Sequence, residues 1–420
     1  MVSVRDGELT GVSVLNVAAW THWVTWAFQV MPVFFLVGGY ANATSWRRHA
    51  AAGGTWQAWV HRRSVRLLGP TAVFVAVAVT TAVVIGQLAD VDRALMERAG
   101  WVSGIALWFL AAYTLVAGLT PLTHRLHDSF GSRATLALAV AVAAGDLARI
   151  ATGDVRWSVA NFVLGWALIH QVGYWWRDGA VPSSAGRSLL LSAVGALALV
   201  ALVVLGPWPV AMIDVAGATI QNSSPPSLAL LSLATAQIGI ILAVADRARR
   251  WLRRPLPWAV VVTVNRVVLT LFLWHMAALV IGAAALYGTR LLPDPPPLSA
   301  AWFAWGSVWL AALAIIVTGL VMVFAPVERR AGRAVTATAD APRVAAALGC
   351  LGLPLACVGL VLLTLGGLVG DGPLGIPVPG ITMFASGTAM TFVAGRLAPQ
   401  PRRPARGDRP RFVRAGTGSE

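Results

Sequence analysis

Along this chain apolar residues come in long runs, and polar residues are confined to the stretches between them. A helix needs roughly 20 apolar residues to cross a hydrocarbon core of about 30 Å. Eleven runs approach that length, near 24–44, 70–88, 101–120, 134–151, 157–175, 187–206, 228–246, 267–288, 302–325, 344–369 and 377–395. The pattern predicts an all-α polytopic membrane protein with about 11 transmembrane helices in one bundle.

The charge of the intervening stretches alternates. Residues 45–69 carry five Arg and no acid, whereas 89–100 carry two Arg against three acids. Residues 207–227 hold one Asp and no Arg, and 247–266 hold six Arg. By the positive-inside rule the Arg-rich side is cytoplasmic. The expected layout is an extracellular N-terminal segment at 1–22, a transmembrane domain at 23–395 and a disordered, Arg/Pro-rich cytoplasmic tail at 396–420. The expected location is the cell (inner or plasma) membrane.

Composition supports the same class. Of 420 residues 57% are hydrophobic and only 12% charged, too little charge to cover a soluble protein of this length. The net charge of +15 comes from Arg alone, because the chain has no Lys. These arginines lie between apolar runs, without the aromatic-interleaved groove that single-stranded nucleic acid requires, so nucleic acid is not an expected partner. Membrane lipids are. Cys350 and Cys357 share one apolar run with no disulfide or metal spacing, and no set of histidines has metal-ligand spacing on one helix, so no metal is expected. The opening stretch MVSVRDGELTGVSVLN carries charge within its first eight residues and has no apolar core, unlike a cleavable signal.

Several stretches, taken in order, resemble the membrane acyltransferase-3 family. FQVMPVFFLVGGYANATSW resembles that family's second helix, with Phe34, Phe35, Gly39 and Tyr40 at the positions of its Phe-Phe, Gly and aromatic core. HRRSVRLLGP resembles the cytoplasmic Arg-x-x-Arg segment that follows. ALWFLAAY (106–113) and LFLWHMAAL (271–279) are similar to a Trp-[Phe/Tyr]-Leu helix and a late Leu-Trp-His helix. NFVLGWALIHQVGYWWRDG and NSSPPSLALL resemble an actinobacterial branch. The resemblance implies an integral-membrane O-acyltransferase that moves an acyl group, acetyl or another short chain, from cytoplasmic acyl-CoA to a carbohydrate, cell-envelope or secreted metabolite acceptor. Members of the family begin with a helix bearing a catalytic His, and MVSVRDGELTG reads like the loop after such a helix. The expectation is a coding start further upstream. A non-enzymatic transporter or glycan carrier is the alternative, as is a catalytically inactive relative if residue 1 is the true start.

Acyl transfer to a hydroxyl needs a base, donors for the developing oxyanion and a site for the donor. Arg62 and Arg66 are spaced i, i+4 and Arg63 and Arg66 i, i+3, so all three share adjoining helix faces. They read either as positive-inside anchors or, with the resemblance, as ligands of the CoA phosphates, for which the planar Arg fork is suited. His275 lies well inside a span, where an ionisable group is a functional candidate or a neutral imidazole bonded to a neighbouring helix. Asp146, with Arg149 at i+3, reads as a local ion pair or as a group orienting the acceptor hydroxyl. His170 is expected to make a structural hydrogen bond and His22 to sit at the interface. His49, His61, His124 and His127 fall in predicted loops, open to phosphate contact or to solvation alone. Asn222, Ser223 and Ser224 form a polar outer loop, read as capping or as acceptor contact.

Overall fold

The computed structural model describes residues 2–5, 8–11, 13–182, 184–331 and 343–397. The expected disordered tail therefore lies outside the described residues, apart from its first two positions. A short antiparallel hairpin, β1 (Val2–Arg5) and β2 (Glu8–Gly11), opens the chain and pairs Val2 with Gly11. The helices that follow are α1 (Val14–Val17), α2 (Thr21–Phe28), α3 (Met31–Ala51), α4 (Trp56–Leu88), α5 (Arg93–Gly104), α6 (Leu107–Gly118), α7 (Thr120–Phe130) and α8 (Ser132–Thr152). The second half consists of α9 (Asn161–Arg177), α10 (Ala185–Leu205), α11 (Leu228–Leu252), α12 (Pro255–Asn265), α13 (Val268–Gly282), α14 (Ala300–Ala331), α15 (Arg343–Gly366) and α16 (Val378–Leu397).

Among the described residues, ten helices are long and apolar enough to cross a membrane, α2 with α3 and α5 with α6 each acting as one. The remaining predicted span is α9, 17 residues long, with Asn161, His170 and Gln171 all buried. Helix starts follow local chemistry. Thr55, Asp92, Ser184 and Ser227 each cap a following helix by accepting a hydrogen bond from a first-turn amide, at 3.0–3.3 Å. Gly153 closes α8 with a φ of +71°, a left-handed conformation that suits glycine.

One boundary differs in a way that matters. Residues 45–69 are not a loop: α3 runs on to Ala51, a four-residue turn follows, and α4 starts at Trp56. Hydropathy detects only the lipid-embedded part of a helix, and the arginines extend the same two helices beyond it.

Lipid tails are as apolar as Leu, so helices associate in a bilayer through close packing and small residues. Two apolar clusters result. One joins α4, α6, α15 and α16 around Phe74, Leu360 and Phe384. The other joins α3, α9 and α11 around Phe35, Trp166 and Leu230, with Phe35 stacked on Trp166 at 4.7 Å. Phe109 and Leu110 on α6 belong to different clusters, so α6 forms the seam between them.

Candidate active site

The site begins with two glycines. A Cβ on Gly39 would lie 1.9 Å from the His170 carbonyl oxygen, and one on Gly173 would lie 2.3 Å from that of Leu36. No other residue type fits at either crossing, and α3 and α9 meet backbone to backbone there. That approach brings Asn42 of α3 within reach of His170, with Asn42 Nδ2 3.0 Å from His170 Nε2. The other end of the same amide, Asn42 Oδ1, accepts a hydrogen bond from Arg63 Nη2 on α4.

Arginine can only donate, so its contact with Oδ1 fixes the amide's orientation. Asn42 Nδ2 then donates to His170 Nε2, which must be an acceptor, and His170 is the neutral tautomer protonated at Nδ1. The same logic applies beside it. Arg62 Nη2 donates to His49 Nδ1 at 2.5 Å, and His49 Nε2 donates to the Thr55 carbonyl at 2.9 Å. The Arg63 guanidinium also lies over the Trp59 ring, 5.7 Å from its centroid. Among the described residues, none of Arg48, Arg62, Arg63 and Arg66 forms an ion pair.

These arginines face a polar cavity of about 390 Å³ lined by Ser45, Arg48, His49, Trp59, Arg62, Arg63, Arg66 and Ala331. A second cavity of about 390 Å³ is mainly apolar, with Phe34, Val37, Phe109, Leu110, Tyr113 and Phe272 among its walls, and it too is lined by Arg63 and Arg66. Arg63 and Arg66 thus line both cavities. Glu328 borders the apolar one but is directed at α13: its carboxylate accepts from Thr270 N at 2.8 Å, Thr270 Oγ1 at 2.6 Å and Leu269 N at 3.3 Å. It caps the N-terminus of α13, where the helix dipole favours a negative charge.

His275 lies on the line Val268, Phe272, His275 along α13, the first two of which border the apolar cavity. It is exposed, and its Nδ1 donates to the Phe272 carbonyl at 2.6 Å, leaving the basic lone pair on Nε2. Asp146 is elsewhere. It is fully buried and its oxygens accept from Arg149 Nη2 at 2.7 Å, Trp208 Nε1 at 2.9 Å and Leu228 N at 2.8 Å. That geometry makes it the anchor of α11 and of the 207–227 loop. The loop's own polar residues act as braces: Asn222 donates to the Pro209 and Ala211 carbonyls, and Ser223 to Asp214.

The histidines read as loop residues are largely helical and buried. His61, on α4, donates from Nδ1 to the Thr391 carbonyl of α16 at 3.0 Å. His124 and His127, on α7, pack around Tyr174 with ring centroids 5.5 and 5.6 Å away. His124 Nδ1 donates to Asp128 at 2.9 Å, and His127 Nε2 to Asp178 at 3.0 Å. Burial pushes His124 below the ordinary histidine value, against the upward pull of Asp128, with the Arg47 charge adding to the depression. Burial pushes Asp178 upward, but hydrogen bonds from Arg177 and His127 and the Arg47 charge hold its carboxyl below the ordinary value. Polar composition hid α7 from a search for apolar runs. His22 donates to the Leu15 carbonyl at 2.9 Å and ties α2 to α1. Asn42, Arg48, Tyr113 and Glu328 were not singled out in the sequence. A polar amide and an acid inside or beside apolar runs were the available signals for Asn42 and Glu328.

No curated protein and no solved structure matches the chain. A family model described as Acyltransferase domain matches residues 8–326, a stretch that contains His275 and the residues lining both cavities except Glu328 and Ala331. The chain belongs to this acyltransferase family.

Proposed function

We propose that this membrane acyltransferase takes its acyl group from acyl-CoA and delivers it to a hydroxyl of a carbohydrate, cell-envelope or secreted acceptor. The observation that carries the reading is that Arg63 and Arg66 line both a polar, arginine-rich cavity and an apolar one. Acyl-CoA has the same division, phosphates at one end and a thioester arm at the other. Arg62, Arg63 and Arg66 would hold the phosphates with Arg48 at the rim, and the arm would run between Phe34, Phe109 and Phe272. Charged hydrogen bonds to phosphate contribute roughly 1.5–3 kcal/mol each, so three arginines suffice to position the donor.

Among the described residues, this reading gives the base to His275, which lies on the α13 face of Val268 and Phe272 but lines neither cavity itself. Its position is seven residues, roughly 10 Å, along α13 from Val268 at the arginine-rich end. The lone pair on Nε2 takes the acceptor proton as the hydroxyl oxygen attacks the thioester carbon. The carbonyl oxygen becomes the oxyanion, and Tyr113 supplies a hydroxyl donor beside the apolar cavity. Collapse of the adduct breaks the C–S bond and releases CoA thiol once a proton has returned to sulfur. The arginine-rich end faces the cytoplasm of a plasma-membrane protein, where acyl-CoA is made, with the C-terminus on that side.

Thiol release by purified full-length chain supplied with acetyl-CoA tests the reading. Release that rises when a polyhydroxylated acceptor is added supports it. No release with acetyl-, propionyl- or longer acyl-CoA, with or without acceptor, overturns it.

A further inference from the structure

We infer that Asn42 and His170 are positioning residues: together they aim the Arg63 guanidinium at the arginine-lined cavity through uncharged contacts and so leave its full charge for an anionic ligand. The inference rests on the reading of that cavity as the acyl-CoA phosphate site, and it adds two residues that touch no phosphate themselves.

A partly buried guanidinium is commonly held by a carboxylate, since burying an unpaired charge is costly. The acid that lines a cavity with Arg63 is Glu328, and its carboxylate is committed to the Leu269 and Thr270 amides and the Thr270 hydroxyl of α13. Arg63 instead meets an amide oxygen and an aromatic face. An amide can turn over, which would present Nδ2 to Arg63 and repel it. With its proton on Nδ1, His170 accepts from Nδ2 in the observed orientation and so reinforces the orientation that Arg63 selects. His170 is 1% exposed and its backbone abuts Gly39, so its ring is fixed by packing. The function of the pair is therefore electrostatic as well as geometric. A carboxylate at position 42 would hold Arg63 equally well and cancel the charge that a phosphate needs.

His49 stands to Arg62 as Asn42 stands to Arg63, a neutral acceptor with its own proton committed to Thr55. Two arginines of one cavity are thus oriented without being neutralised.

The test uses full-length protein in detergent, with CoA and, separately, inorganic pyrophosphate as ligands in equilibrium binding. Asn42→Asp keeps an acceptor for Arg63 but loses the Nδ2 donor to His170, so its melting temperature is measured alongside binding. It should weaken CoA binding about tenfold or more and flatten its dependence on salt. His170→Phe should weaken binding in the same direction, and His170→Gln, which retains an acceptor for Nδ2, should restore much of it. In turnover the KM for acyl-CoA should rise while kcat holds, a split that mere loss of packing does not give. Wild-type binding of CoA with unchanged affinity in Asn42→Asp and His170→Phe overturns the positioning role and leaves the donor reading standing. Binding of pyrophosphate but not CoA, with loss in Asn42→Asp, supports the positioning role and removes the donor reading. No binding of either anion by the wild type overturns both.

Discussion

Arg149 reaches Asp146 at 2.7 Å inside a fully buried pocket, and the same carboxylate caps Leu228 at the start of α11. Its charge and its oxygens are committed to the scaffold. Removing one partner from a buried ion pair leaves the other uncompensated, at a cost of about 3–5 kcal/mol. Asp146→Ala should therefore lower thermal stability and yield, with acyl transfer per folded molecule retained. Scanning fluorimetry together with activity normalised to monodisperse protein checks this, and full stability with lost turnover would return Asp146 to the catalytic candidates.

His275 should behave in the opposite way. It is exposed on α13 and its side chain makes one short contact to its own helix, so His275→Ala should leave the melting temperature unchanged. General-base catalysis contributes roughly 10²–10⁴-fold, and kcat should fall by that order with KM for acyl-CoA little altered. Turnover equal to wild type would remove it as the base.

The crossing of α3 and α9 admits only glycine at two points. Gly39→Ala would press a methyl group against the His170 carbonyl, with 1.9 Å available, and must part the helices. Overpacking typically costs about 1–3 kcal/mol, and here it also pulls Asn42 away from His170. Stability and CoA affinity should fall together in this variant, measured by melting and by equilibrium binding. Loss of one without the other would separate the crossing from the arginine site.

His124 on α7 gives the fold an acid limit. His124 is 2% exposed, its Nδ1–H is given to Asp128, and its Nε2 has no hydrogen-bond partner. Around it stand Asp128, Arg47, His127 and the Tyr174 ring. Its folded pKa is lowered from 6.5, so the unfolded chain takes up a proton more readily than the native one. The stability this contributes is complete above about pH 6.5 and is lost as pH falls through the lowered folded value. Melting temperature followed from pH 7.5 to 5 should decline, and His124→Gln should decline less steeply.

Much of the fold was legible because lipid imposes one length and one composition on every spanning helix. The ends of α3 and α4 were not, since a helix that leaves the bilayer keeps its backbone geometry while its hydropathy changes sign. α7 was hidden for a related reason: TPLTHRLHDSF has no apolar run, and its buried His124 and His127 face neighbouring helices rather than lipid. The arginines stood out by spacing alone, as Arg62, Arg63 and Arg66 fall on adjoining faces of α4. Their partners did not. Asn42 lies 21 residues from Arg63 and 128 from His170, and the second contact depends on the glycine crossing of α3 and α9.

Whether Arg63 and Arg66 hold the donor can be measured most directly by equilibrium binding of acetyl-CoA to the full-length wild type and to Arg63→Gln/Arg66→Gln. Loss of two charged hydrogen bonds should weaken binding by two orders of magnitude or more, roughly 3–6 kcal/mol, and reduce its salt dependence, while the protein remains folded in the membrane. Equal affinity and equal salt dependence in the double variant would contradict the assignment and leave these arginines as topology anchors.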